Sequence, residues 1–193
     1  MNLVFDILGC TSCPALVDNR THVVPARVGR HYVEGGICVM GDAPDHGADR
    51  KGEPMVGREG QLLDSILQEA GLSREHVMLM YTVRCRPPNN RLDRHPEATL
   101  ACDRWTKAEL DAYKPGVVIL TGNTPMRRVY GKEAKITAVR GKPRATSDEF
   151  EYGQRVWLPT FSTKHALQNP TVTATILEDF KLGAGLCDTS STQ

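Results

Sequence analysis

Cys10 and Cys13 stand two residues apart in CTSCP, and Cys85 and Cys102 add two further thiols later in the chain. A C-x2-C pair can hold one metal centre from two sides of a tight turn. Prolines beside Cys13 and Cys85 restrict the backbone there and would help shield a bound centre. Thiolates spread over two loops and a helix suit either zinc or an iron–sulfur cluster, and the spacing does not choose between them. The second chemical feature is a carboxylate. Asp42 follows the apolar run Gly36-Ile37-Cys38-Val39-Met40 after one glycine, in the loop GDAPDHGADRKGEP. A carboxylate at that point can orient or deprotonate a water molecule.

The elements that must position these groups read as alternating strands and helices. Strands are expected over Gly36–Met40, Val77–Val83, Val117–Gly122 and Arg155–Thr160. The first is followed by a helix whose apolar face carries Leu62, Leu63, Ile66, Leu67 and Ala70, ended by Gly71. Further helices are expected over His95–Tyr113, Asn123–Tyr130 and Thr171–Lys181. Residues 14–34 read as a mostly extended connection, Arg140–Arg144 as a basic turn, and the stretch from Gly183 as a frayed tail. This alternation predicts one three-layer α/β domain over residues 1–193, a parallel sheet with helices on both faces. In such sheets ligands bind at the carboxyl ends of the strands, which is where Asp42 lies.

With 193 residues, 40% of them hydrophobic, the chain is long enough for one domain with a real core. No apolar run approaches the roughly 20 residues of a membrane span, and the short N-terminal apolar stretch has no basic leader and contains Asp6. A cytoplasmic monomer is expected. Its six cysteines then point to metal or redox use rather than a disulfide frame. The net charge of +1 gives no global attraction to nucleic acid, so any DNA contact must come from a local patch.

Cys10-x2-Cys13, GDAPDHGADRKGEPMVGREGQLLDSIL, CRPPNNR and Cys102 together resemble the iron–sulfur (family 4) uracil-DNA glycosylases, over about Cys10 to Pro170. The resemblance implies a four-stranded parallel sheet sandwiched by helices, and a [4Fe-4S] cluster on Cys10, Cys13, Cys85 and Cys102. It also implies DNA as partner and flipping of a base into a pocket at the strand ends. Asp42 takes the water-activating position. Arg84, Arg86, Arg91 and Lys164 are candidate phosphate contacts, and Leu167 and Gln168 occupy the segment that wedges into the gap left by a flipped base.

The chain departs from the family where the base is read. The phenylalanine that stacks on uracil falls at Met55, and the asparagine that reads its edge falls at Tyr81. The histidine-containing motif falls at Ser162-Thr163-Lys164, and the acidic side chain that crowds the pyrimidine C5 position falls at Ala48. Ala43, Gly47, Ala48, Met55, Tyr81 and Ser162 are therefore the expected base pocket. His165, with His46, is a candidate to replace the missing histidine beside the leaving base; Lys164 is another. The departures predict a monofunctional glycosylase that excises a C5-modified pyrimidine, such as plain or glucosylated 5-hydroxymethylcytosine of phage DNA, in an anti-phage role. The alternatives are a uracil-DNA glycosylase of repair, a catalytically silent DNA-binding relative, and a zinc-stabilised interaction module.

Overall fold

The computed structural model describes residues 2–190, with side chains described through Cys187. Six strands form one sheet: β1 (Arg27–Val28), β2 (Ile37–Gly41), β3 (Val77–Tyr81), β4 (Val117–Thr121), β5 (Arg144–Ala145) and β6 (Val156–Thr160). Their order is β1-β3-β2-β4-β6-β5. The middle four are parallel, with Ile37 opposite both Val77 and Val117, and Val117 opposite Val156. The two-residue edge strands run antiparallel to their neighbours. This corrects the expectation of four parallel strands alone. A two-residue strand is too short to carry a hydrophobic period, so Arg27–Val28 hid in a polar connection and Arg144–Ala145 in a basic turn. Such short, charged edges also offer little to a foreign strand.

Helices cover both faces of the sheet, which is why β2, β3 and β4 are buried at every position. The side chains of Ile37, Val39, Leu79 and Ile119 point to one face. They pack with Leu63, Ile66 and Leu67 of α4 (Gly57–Glu69), Ala166 of α8 (Thr163–Gln168) and Ile176 and Phe180 of α9 (Thr173–Ser190). Cys38, Met40, Met78, Val118 and Leu120 point to the other. There they meet Leu110 of α5 (Pro96–Tyr113) and Val129 of α6 (Asn123–Tyr130). A third cluster joins Ile7 of α1 (Leu3–Leu8), Leu16 of α2 (Pro14–Val17), Val83, Ala98 and the cysteines Cys13, Cys85 and Cys102. The remaining helices are α3 (His46–Lys51) and α7 (Ile136–Val139).

The segment expected to fray from Gly183 is helical through Ser190; residues 191–193 lie outside the described ones. Gly183 explains the difference: a Cβ there would stand 2.9 Å from Ile119 Cδ1. The missing side chain lets α9 lie directly on β4, and Leu186 and Cys187 then pack against the core. Among the described residues no helix is long and apolar enough to cross a membrane.

Candidate active site

From β2 the chain goes to β3 on one side and later to β4 on the other. A sheet whose connections diverge in this way opens a crevice at the carboxyl ends of the strands where they part. Asp42 leaves β2 at that point and Gly122 leaves β4 beside it. Asp42 Oδ1 accepts a hydrogen bond of 2.9 Å from the Thr124 amide in the first turn of α6. The carboxylate thus satisfies one of the unpaired donors of a helix start. Gly122 has φ +110°, and a Cβ on it would stand 2.7 Å from Asp42 Oδ2. Both facts require glycine there. The Val83 amide holds the Asp42 carbonyl at 3.0 Å, fixing the backbone on the other side. A groove of about 1380 Å3 opens over this carboxylate, with Asp45, Asn123, Ser162 and His165 on its walls.

The loop after Asp42 is tied down by its own acids. Asp45 caps α3 by accepting from the Ala48 amide at 2.9 Å. Asp49, fully buried, accepts from the amides of Thr21 (2.8 Å) and His22 (3.2 Å) and so fastens the 20–22 segment to α3. Gly47 is exposed, and an added Cβ would meet only Asp45 Oδ1 at 3.4 Å. Ala48 is fully buried with Met55 and Tyr81 in the core below the loop and does not line the groove.

Beneath the loop lies a buried polar cluster. The Tyr81 hydroxyl accepts from the Met55 amide at 2.9 Å and lies 3.5 Å from Glu59 Oε2. Met55 has φ +53°, sparsely populated for a side-chain-bearing residue, and Tyr81 and the Arg74 guanidinium hold its two backbone groups. Glu59 of α4 is only 5% exposed and accepts from Thr163 Oγ1 at 2.9 Å. Lys164 Nζ donates to the Ala43 carbonyl at 2.6 Å, lies 3.7 Å from Glu59 Oε2, and stands 5.3 Å from the centre of the Tyr81 ring. Burial raises the Glu59 carboxyl above its ordinary range, while Lys164 and Thr163 oppose the rise. Tyr81 is raised well above its usual value, by burial first and by Glu59 next.

The remaining expected residues divide sharply. Ser162 caps α8 by accepting from the His165 amide at 3.1 Å, and His165 is exposed, its ring 5.9 Å from that of Phe161. Leu167 and Gln168 line the groove. Arg86 is bonded to Asn90 at 2.8 Å, and Arg91 makes a two-pronged ion pair with Asp93. Arg84 is different. It is 1% exposed, paired with Glu109, and donates to the Thr82 carbonyl at 2.8 Å and to Thr106 Oγ1 at 2.7 Å. Its guanidinium is consumed inside the fold and faces no phosphate, a correction to its expected place in a surface patch. The exposed cations on the groove wall are instead Arg58, Arg127 and Lys132. Sequence reasoning missed these and Glu59. A signal existed for each kind: Arg127 follows an apolar strand in a short helix, so it sits at the strand ends. Glu59 lies four residues before Leu63, a charge on the apolar stripe of its helix.

The cysteine corner is formed by α1, α2, the loop after β3, and α5. Arg20 donates to Cys85 Sγ at 3.0 Å and to the Cys10 carbonyl at 2.7 Å. Arg104 lies 3.6 Å from Cys10 Sγ. Burial alone would raise Cys10, but Ser12, with Trp105 and Arg104 nearby, holds it down to about 7. Burial raises Cys13 to about 11, and the neighbouring Cys102, Cys85 and Cys10 add to the rise, so the four sulfurs sense one another. Among the described residues no group of three or more His, Cys, Asp or Glu side chains has the closeness that one metal ion requires. A multi-iron cluster spreads its thiolates around a larger body than a single tetrahedral ion does. The Trp105 indole N–H is buried without a full partner of its own, and a sulfur-rich group held beside Cys10 would accept from it. The donors present fit such a group.

An open α/β sheet with a backbone-held carboxylate at its switch point, facing a groove edged with cations, is the arrangement of an α/β enzyme suited to an anionic substrate. Comparison with known proteins narrows this. The Uracil DNA glycosylase superfamily matches residues 31–181. A Type-4 uracil-DNA glycosylase of Thermotoga maritima is 37% identical over 175 residues, covering 89% of this chain and 86% of that protein. Proteins of the same description from Sulfurisphaera tokodaii and Archaeoglobus fulgidus are 33% and 31% identical, over 91% and 96% of this chain and 79% and 92% of their own. The chain belongs to the uracil-DNA glycosylase superfamily and is a DNA glycosylase, a hydrolase of N-glycosyl bonds.

Proposed function

We propose that this glycosylase flips a C5-modified pyrimidine out of DNA and hydrolyses its N-glycosidic bond to leave an abasic site, with plain or glucosylated 5-hydroxymethylcytosine of phage DNA as the substrate class and defence against phage as the role. The observation that carries the reading is Tyr81. The position that in the family offers an edge-reading amide holds a buried phenol whose oxygen is engaged by the Met55 amide. A flipped uracil finds no matched donor and acceptor there, a loss worth about 1–3 kcal/mol of discrimination. Gly47 leaves the outer side of the loop open, and the groove of about 1380 Å3 has room for a base with a large substituent. Ala48 does not bear on the size of the groove, since it is buried below the loop.

In this reading Asp42 orients or deprotonates the attacking water and faces the positive charge that develops on the sugar. Arg58, Arg127 and Lys132 hold phosphates, joined by Arg86 and Arg91 at the CRPPNNR loop. Leu167 and Gln168 enter the gap left by the flipped base. Cys10, Cys13, Cys85 and Cys102 hold a [4Fe-4S] cluster that stabilises their corner. A second reading, uracil excision in repair, is favoured by the description shared by the relatives at 31–37% identity.

The test is incubation of the protein with duplexes containing uracil, 5-hydroxymethylcytosine or its glucosylated form, followed by alkaline cleavage of abasic sites. Cleavage at the modified cytosines supports the first reading. Cleavage at uracil alone establishes the second, and binding without any cleavage would leave a silent relative.

A further inference from the structure

We infer that Lys164 supplies the positive charge that meets the departing base, with Glu59 as its positioning residue; this rests on the reading of the chain as a base-excising enzyme and adds a role within that site. Glycosidic cleavage leaves the bonding electron pair on the base, so the site needs a positive or hydrogen-bonding group at depth on the base side. Neither histidine expected to replace the family histidine meets that need. His165 is exposed against Phe161, and His46 is exposed at the start of α3. Lys164, from the same short motif, turns inward. Its Nζ is 2.6 Å from the carbonyl of Ala43, the residue after Asp42, and lies over the Tyr81 ring.

The groups around Lys164 hold it there. Glu59 Oε2 is 3.7 Å from Nζ, and Thr163 fixes the other Glu59 oxygen at 2.9 Å. Among the described residues Lys164 makes the sole ion pair to Glu59, and the charges of Asp42 and Asp45 weigh on the same Glu59 carboxyl. Glu59 is buried and Lys164 half-buried, and an ion pair so placed is a weak device for stability, since apolar replacements of similar volume often do as well. A charge fixed before the reaction, in surroundings poorer in water than the surface, stabilises a developing opposite charge without reorganisation. In the step itself, water adds to C1′ and the C1′–N bond breaks. The electron pair stays on the base, whose anionic oxygen pairs with the Lys164 ammonium, and Asp42 takes the proton lost by the water.

The experiment measures single-turnover excision and DNA affinity for wild type, Lys164→Met, Lys164→Arg and Glu59→Gln. The duplexes carry uracil, 5-fluorouracil, 5-hydroxymethylcytosine or glucosylated 5-hydroxymethylcytosine, bases that differ in how readily they leave as anions. Lys164→Met keeps the stem, and Glu59→Gln can keep the Thr163 hydrogen bond; thermal unfolding checks that both fold. The expected result is a rate loss of about 10²-fold or more for Lys164→Met, largest for the poorest leaving base, with DNA affinity unchanged. Lys164→Arg recovers part of the rate, and Glu59→Gln loses less than Lys164→Met. An equal loss on every base, a loss carried by affinity, or an unchanged rate would overturn the role of Lys164 while leaving the enzyme a glycosylase. Wild type inactive on every base would overturn the base-excision reading, and this role with it.

Discussion

Asp42 Oδ1 lies 2.9 Å from the amide nitrogen of Thr124, so the loop after β2 and the helix after β4 meet through one carboxylate. The hydrogen bond fixes one oxygen and leaves the group at the floor of the groove. Asp42→Asn can keep the Thr124 contact through its amide oxygen while removing the charge. The expected outcome is a loss of excision of about 10²–10⁴-fold with duplex binding retained, measured by single-turnover cleavage and by titration of labelled DNA. Unchanged turnover would remove Asp42 from the chemistry.

Gly122 tests the position of that carboxylate rather than its identity. Gly122→Ala puts a methyl within 2.7 Å of Asp42 Oδ2 at a φ of +110°. The carboxylate must move, and a shift on the order of 1 Å in an active site costs about 10²-fold in rate. The expected outcome is reduced excision with the Asp42 side chain intact and the fold retained by circular dichroism. Full activity would mean that the position of Asp42 is not critical.

The Glu59 carboxyl predicts a pH signature in stability. Its folded pKa is raised above the ordinary 4.5 by burial, with Lys164 opposing. Its contribution is therefore fully present below the unfolded pKa and is lost as pH rises through the folded one. Urea unfolding of wild type and Glu59→Gln from acid to neutral pH should show wild type losing stability relative to the variant as pH rises. A difference that is flat with pH would contradict the raised value.

Arg127 and Lys132 line the groove, and no ion pair ties either of them down among the described residues. If each neutralises one phosphate, Arg127→Ala and Lys132→Ala should each reduce the slope of log affinity against log salt by about 1. Arg84→Ala would disturb folding instead, because it strips the buried Glu109 of its partner at a cost of about 3–5 kcal/mol. An Arg127→Ala variant with an unchanged salt slope would place the phosphate track elsewhere.

The cysteine corner predicts a coloured protein containing iron and acid-labile sulfide. Cys102→Ser should lose the visible absorption and unfold at lower temperature, because binding and folding of that corner are linked. Colourless protein containing zinc would contradict the cluster.

How much of this was legible from residue types follows from the kind of signal each feature leaves. The parallel core announced itself because strands buried on both faces are near-continuous apolar runs, as residues 117–120 are. Asp42 was visible because the switch-point rule depends only on element order. The edge strands left no periodic signal at two residues each. The inward course of Lys164 and Arg84 could not be read, since a cation written in a loop looks the same whether it meets solvent or a buried carboxylate. For Lys164 the partner is more than a hundred residues away in the chain, and only the fold brings Glu59 beneath it. The helical end of α9 was hidden because Gly183 argues locally against a helix, whereas its close approach to Ile119 favours one.

Three adjacent residues, Arg20, Thr21 and His22, act as a hinge pin between two parts of the molecule. The Arg20 side chain grips Cys85 and the Cys10 carbonyl, while the amides of Thr21 and His22 hang on Asp49 at the far side of α3. The loop that begins at Asp42 therefore shares its mooring with the thiols.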